Sequence, residues 1–178
     1  MSATELITRI KKYNLTEIGN FIFTSVISNK IYFEFKGLIN HPTIMYQVCE
    51  HLGELVTHKK DVCIAGIPLG GISYATLVSH ILNLPQVLIR EEITNPNRQQ
   101  RVEGYIKGTK IILVEDIIAT GKSVIEIINI LKSSNINVHQ IICIVDREQG
   151  GVDKIRELGY DVQCLYKVSD FVSDVIND

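Results

Sequence analysis

The chain has little of what marks the more specialised protein classes. It has no surplus of charge: 18 Lys and Arg stand against 20 Asp and Glu, a formal net charge of −2. A protein that coats nucleic acid by charge alone is basic, and no basic stripe with interleaved aromatics is present, so a nucleic-acid partner is not expected. No apolar run approaches the roughly 18 residues of a membrane span. The greasiest stretch, Lys110 to Lys122, is broken by Glu115 and Asp116. The N-terminus carries Arg9, Lys11 and Lys12 inside an amphipathic stretch, not ahead of an apolar run with a small-residue cleavage site, so it does not read as a signal peptide. The four cysteines, Cys49, Cys63, Cys143 and Cys164, show no Cys-x-x-Cys or Cys/His ligand spacing. Three of them sit inside apolar runs, which predicts buried free thiols in a reducing cytosol and a cytoplasmic, soluble protein.

What is present is ordinary globular material: 178 residues, 46% hydrophobic and 21% charged, enough for one core and one main site. Glu5 to Tyr13 reads as a short amphipathic helix with Leu6, Ile7 and Ile10 on one face. Two β-prone runs follow, Asn20 to Val26 and Lys30 to Phe35, and suggest a small β lobe. Pro42 suits the first turn of a helix running to about His58. From Asp61 the pattern changes to apolar runs alternating with helical patterns. The runs are Val62 to Ile67, Val87 to Ile89, Ile111 to Val114, Ile141 to Val145 and Val162 to Leu165. Helices are expected over Ser73 to Leu84, Ser123 to Ser133 and Val152 to Leu158, the second placing Val124, Ile127, Ile128 and Leu131 on one face. Strands apolar on both faces belong to a parallel sheet covered by helices, so the fold class is a doubly wound α/β sheet. Its ligand is expected at the carboxyl ends of the strands, in the loops after Ile67, Val114 and Val145. Asn95 to Arg101 is the one long polar stretch.

The segment from Ile111 to Ser123 carries the most chemistry. A buried strand delivers Glu115 and Asp116, and the turn Ala119-Thr120-Gly121-Lys122-Ser123 then starts a helix. Phosphate suits such a turn: Gly121 admits close backbone approach, first-turn N–H groups are unpaired donors, and the helix dipole is positive at that end. Thr120 and Ser123 add hydroxyl donors. The two acids suit sugar hydroxyls or Mg2+, so a phosphorylated sugar satisfies both halves of the segment. A Walker A loop would need glycine five residues before Gly121, and that position is Asp116. The bland alternative is a strand-turn-helix with solvated acids.

Glu115 to Ser123 resembles the phosphoribosyl-diphosphate (PRPP) motif of type I phosphoribosyltransferases. Val145-Asp146-Arg147-Glu148-Gln149-Gly150-Gly151 resembles the segment specific to orotate phosphoribosyltransferases. Gly66-Ile67-Pro68-Leu69-Gly70-Gly71 is similar to the family's pyrophosphate loop, and Tyr32 to Ile39 to its hood segment. The resemblance covers nearly the whole chain in order. It implies a single phosphoribosyltransferase-like domain, with residues 1–40 as N-terminal helix and hood and 41–178 as α/β core. It further implies transfer of the phosphoribosyl group of PRPP to orotate in pyrimidine biosynthesis, with Mg2+ as cofactor and a homodimer as assembly. Residue by residue, the sugar phosphate falls on Ala119 to Ser123, the ribose hydroxyls on Glu115 and Asp116, and PRPP phosphates on Arg90. Pyrophosphate falls on Pro68, Leu69 and Gly70, the orotate carboxylate on Arg147, and the base on backbone groups of Tyr32 and Phe33. The competing assignments are surface arginines at 90 and 147 and core aromatics at 32 and 33. No protein side chain is implied as a direct metal ligand.

The sequence departs from the family in the catalytic loop between Arg90 and Gly104. Glu91 and Thr94 stand where the family has lysine, Pro96 where it has histidine or an aromatic, and Asn97 where it has glycine. Thr24 replaces a further lysine, Asn29-Lys30 replaces Ser-Pro before the hood strand, and Gly70 takes a position that often carries lysine. Arg98 and Arg101 are candidate substitutes. The catalytic groups are therefore not assigned. Beside the enzyme reading stand a non-catalytic PRPP- or nucleotide-binding regulatory or partner subunit on the same fold, and a phosphoribosyltransferase for another base.

Overall fold

The computed structural model describes the backbone of residues 3–12, 16–21, 29–33, 35–91 and 101–172, and the side-chain surroundings of 5–10, 37–91 and 101–171. The chain divides into two units, Met1–Val48 and Cys49–Asp178. In the first, α1 (Ala3–Lys12) buries Leu6 and Ile10 completely, one helical turn apart, while Arg9 and Glu5 pair at 3.3 Å on its outer side. β1 (Thr16–Phe21) and β2 (Asn29–Phe33) form an antiparallel pair in which Thr16 faces Phe33 and Ile18 faces Ile31. β1 thus lies earlier than the apolar run Asn20 to Val26 predicts, because cross-strand register with β2, not local apolar content, selects the paired residues. Residues 22–26 of that run lie outside the described set. A 3-10 turn (Phe35–Asn40) leads to α2 (Pro42–Glu54), which opens on Pro42 as expected.

α2 stops short of His58. The fully buried Gln140 donates its amide to the Leu55 carbonyl at 2.9 Å and accepts from the Thr57 N–H at 3.3 Å. A side chain from the sheet therefore takes over the backbone groups that another helical turn would have paired.

The second unit holds a six-stranded sheet in the order β5-β4-β3-β6-β7-β8. Its strands are β3 (Val62–Gly66), β4 (Gln86–Ile89), β5 (Val102–Glu103), β6 (Lys110–Ile118), β7 (Val138–Asp146) and β8 (Val162–Lys167). Helices α3 (Gly70–Leu82), α4 (Lys122–Ser133) and α5 (Gly151–Glu157) connect parallel neighbours, and α6 (Val168–Val172) follows β8. Every pairing is parallel except that of the short edge strand β5 with β4. Val62 to Ala65, Ile111 to Val114 and Ile141 to Val145 are buried on both faces, and α4 turns Val124, Ile127, Ile128 and Leu131 inward. Each Val, Leu or Ile among them contributes about 1.5 to 3 kcal/mol on burial. The doubly wound sheet read from the apolar runs is what forms; β5 and α6 escaped that reading because each is too short to show a period.

The chain leaves β3 toward β4 on one side and leaves β6 toward β7 on the other. The switch point, where crevices form in open α/β sheets, therefore lies between the carboxyl ends of β3 and β6. β6 does not end at Val114 as the apolar run suggests. Its pairing with β3 stops at Gly66 and Val114, while its pairing with β7 continues to Ile118 and Asp146. Glu115 and Asp116 are thus strand residues, because ladder hydrogen bonds to β7 outweigh the weak strand preference of acidic side chains. α3 likewise begins at Gly70, not Ser73.

Candidate functional site

The switch point is built on close backbone contacts that only glycine allows. A Cβ at Gly66 would stand 2.5 Å from the Gly71 backbone, and one at Gly71 would strike the Val114 carbonyl. The segment from Ile67 to Gly70 is thereby pressed against β6, and the Ile67 N–H donates to the Val114 carbonyl at 2.9 Å. The Pro68–Leu69 peptide is cis, and Leu69 projects outward. Of the three loop residues expected from the sequence, Gly70 lies against the Asp116 carboxylate.

Glu115 and Asp116 are both 8% exposed, and they serve different neighbours. The Asp116 carboxylate accepts from the Ile117 N–H at 2.9 Å and occupies the space a side chain at Gly70 would need. Glu115 borders a small cavity of about 90 Å³ whose other walls are Ile117 to Val124. Ala119, Thr120, Gly121, Lys122 and Ser123 all line that cavity, so the expected phosphate turn and one acid share a single recess. Gly121 caps α4 with φ +77°, a conformation natural to glycine, and no side chain caps the first-turn N–H groups. Lys122 reaches outward, where its ammonium lies 3.8 Å from Glu126.

The turn carrying Arg147 is fastened to the phosphate turn. The Arg147 N–H donates to the Ile118 carbonyl at 2.8 Å, and the Gly151 N–H donates to the Ala119 carbonyl at 3.1 Å. A Cβ at Gly151 would strike the Ala119 carbonyl and stand 2.5 Å from the Gly121 nitrogen. Two segments read from the sequence as separate motifs are thus one structure. Arg90 follows β4, and its Nε lies 2.6 Å from Glu103 Oε1. Tyr32 and Phe33 occupy β2 in the first unit. Glu91 is exposed, while Thr24, Thr94, Pro96, Asn97 and Arg98 lie outside the described residues. Sequence reasoning named Glu148 and Gly151 only as members of the Val145 to Gly151 segment and did not single out Glu103; the partners of all three lie across strands or turns.

Cys143 is fully buried, and its thiol contacts the carbonyls of Asp116 and Val145 at 3.5 and 3.3 Å. Burial raises its pKa well above the ordinary value, and Cys164 and the Glu115 charge act in the same direction. All four cysteines are free; Cys49, Cys63 and Cys143 are buried as expected, whereas Cys164 is only half-buried because β8 is the sheet edge. No helix among the described residues is long and apolar enough to cross a membrane.

A strand-borne acid pair, a glycine-capped helix start and the loop from Pro68 to Gly70 meet at one switch point. The chain belongs to the phosphoribosyl transferase domain family, whose model matches residues 37–175. Within that family it falls among the orotate phosphoribosyltransferases. It is 30% identical over 159 residues to the orotate phosphoribosyltransferase of Sulfolobus acidocaldarius, with 89% of this chain and 81% of the relative covered. It is 31% identical over 170 residues to a bifunctional PyrF/PyrE enzyme of Nostoc, of which it spans 36% against 95% of itself. Its fold matches Leishmania donovani UMP synthase with a TM-score of 0.86 and 28% identity, over 97% of this chain and 38% of that one. The chain therefore spans little more than a third of these two larger relatives and most of the Sulfolobus protein.

Proposed function

We propose that the chain is a glycosyltransferase that joins orotate to the sugar carbon of PRPP, giving orotidine 5'-monophosphate and pyrophosphate, a step of pyrimidine biosynthesis. The observation that carries this reading is the pair of hydrogen bonds, Arg147 to Ile118 and Gly151 to Ala119, that locks the arginine turn onto the phosphate turn. A planar guanidinium grips a carboxylate bidentately, so a base bearing a carboxylate is suited to Arg147 while the sugar phosphate sits in Ala119 to Ser123. In this reading Glu115 holds ribose hydroxyls from the wall of the phosphate recess. Asp116 faces the Pro68–Gly70 loop, where pyrophosphate leaves. Arg90 binds PRPP phosphates. The roles of Tyr32 and Phe33 rest on the resemblance alone.

Mg2+ suits this donor set. Although the resemblance implies no direct protein ligand, Asp116 would offer a hard carboxylate oxygen beside the Pro68–Gly70 loop. Magnesium is commonly held by one or two carboxylates together with substrate phosphates, and bound there it would neutralise charge on the departing pyrophosphate. The protein's own part is to orient the sugar and to supply cations around the leaving group. Glu91 and Thr94 remove two cations the resemblance places there. Each hydrogen bond to a charged group is worth about 1.5 to 3 kcal/mol, so losing two slows turnover by roughly a hundredfold or more. A homodimer is part of the proposal, as is a reducing cytosolic setting for the four thiols.

Steady-state consumption of orotate with PRPP and Mg2+ tests the reading. Turnover that requires all three supports it. Calorimetric binding of PRPP with no detectable turnover would establish a binding subunit instead.

A further inference from the structure

Glu148 follows Arg147 in sequence, yet its carboxylate points to the C-terminal helix. Its Oε2 accepts from the Ser169 N–H at 2.8 Å and its Oε1 from the Ser169 hydroxyl at 3.1 Å. Ser169 is the second residue of α6. Glu148 holds a left-handed backbone, φ +56°, with its N–H donated to Asp146 Oδ1 at 2.8 Å. For a residue other than glycine such a conformation persists where the surroundings over-determine it. The surroundings are visible here. One flank of the turn is fastened to the phosphate turn through Ile118 and Ala119, and the other to α6 through Ser169. α6 in turn is anchored by Asp170, which accepts from the Lys167 N–H at 2.7 Å, and by Phe171, which packs edge-on against Tyr166 at 5.6 Å. Asp146 and Lys167 are register partners at the ends of β7 and β8, so the sheet delivers the turn and the helix to the same place.

We propose that Glu148 is a positioning residue for base recognition: through Ser169 it clasps α6 to the turn that aims Arg147, so that binding of the base carboxylate and docking of α6 are linked. The inference rests on the reading of Arg147 as the carboxylate-gripping residue. Linkage is reciprocal, so a ligand on Arg147 tightens α6, and loosening α6 weakens that ligand. PRPP, held on the opposite flank, is spared. Orotidine monophosphate and PRPP share a phosphorylated ribose, and only the former carries a base, in place of the diphosphate, so selective weakening of orotidine monophosphate reports on this effect.

The test is calorimetry on the full chain with Mg2+, using both ligands and the variants Glu148→Gln, Ser169→Ala, Ser169→Thr and Arg147→Ala. Glu148→Gln is expected to weaken orotidine monophosphate about tenfold and PRPP less than twofold, the scale of one charged hydrogen bond. Ser169→Ala has a smaller effect of the same kind, and Ser169→Thr binds as the parent does. Amide exchange in residues 168–172 should slow on binding orotidine monophosphate in the parent and not in Glu148→Gln. A tighter complex in Glu148→Gln would mean that Glu148 acts only by repelling the anionic base, and equal weakening of both ligands would make it merely structural; either overturns the proposal. If Arg147→Ala weakens only orotidine monophosphate while Glu148→Gln does not, the clasp alone fails. If Arg147→Ala spares orotidine monophosphate, the reading of Arg147 fails and the clasp with it.

Discussion

Arg90 Nε lies 2.6 Å from Glu103 Oε1, a diagonal pair across β4 and β5 at the base of the segment that joins them. The backbone repeats the closure, since the Arg90 N–H donates to the Arg101 carbonyl at 2.8 Å. With side chains 51% and 40% exposed, the pair adds little to stability, at most about 1 kcal/mol. Its consequence is orientation, because a guanidinium held by Nε presents its two terminal nitrogens in a fixed direction. Glu103→Gln is therefore expected to raise KM for PRPP several-fold with a thermal midpoint close to the parent's. An unchanged KM in initial-rate measurements would detach Glu103 from substrate binding.

Gly151→Ala should weaken PRPP and orotidine monophosphate together. The added methyl has to displace the Ala119 carbonyl and the Gly121 nitrogen, which are backbone and cannot rotate away. Overpacking of this kind costs about 1 to 3 kcal/mol. Urea unfolding is expected to register that loss, and calorimetry a parallel weakening of PRPP and orotidine monophosphate. Selective loss of one ligand would show that the two turns move independently.

Restoring the cations is expected to help. Glu91→Lys combined with Thr94→Lys should raise kcat, with Glu91 contributing the larger part because it replaces a cation with an acid. If kcat is unmoved, the loop does not follow the family alignment.

Stability should fall in mild acid. Desolvation is the main influence holding the His139 pKa below its ordinary value of 6.5, with Lys110 and His58 acting in the same direction and Asp161 against. The His139 ring sits edge-on to His58 at 5.5 Å. The unfolded chain then binds the proton more readily than the fold does. His139 thus favours the fold above pH 6.5, and the advantage is lost as pH falls through the lowered value. Denaturant midpoints recorded from pH 8 to pH 5 should decline less in His139→Gln than in the parent.

The parallel core and the glycine-capped turn at Ala119 to Ser123 were legible because their signals are local: continuous apolar runs, a glycine at a helix start, two acids after a strand. The end of β6 was not, since Glu115 and Asp116 read as a strand terminus until β7 is present to pair with them. Glu103 and Glu148 were silent for a related reason. Their partners, Arg90 and Ser169, stand 13 and 21 residues away, and nothing in a carboxylate's neighbours announces what it will meet. Gly66, Gly71 and Gly151 read as loop residues; that each marks a contact between backbones emerges only when the segments are brought together.

The overhang of β6 beyond β3 divides the protein's capacity for change. Glu115 and Asp116 stand on a ledge hydrogen-bonded to β7, so the half of the site proposed for the sugar shares the rigidity of the core and should be among the last regions to exchange its amide protons. The departures at Glu91 and Thr94 fall instead on the connection between β4 and the edge strand β5. In the proposed reading, substitutions in that connection would change the chemistry of the leaving group while the β6 ledge stays intact.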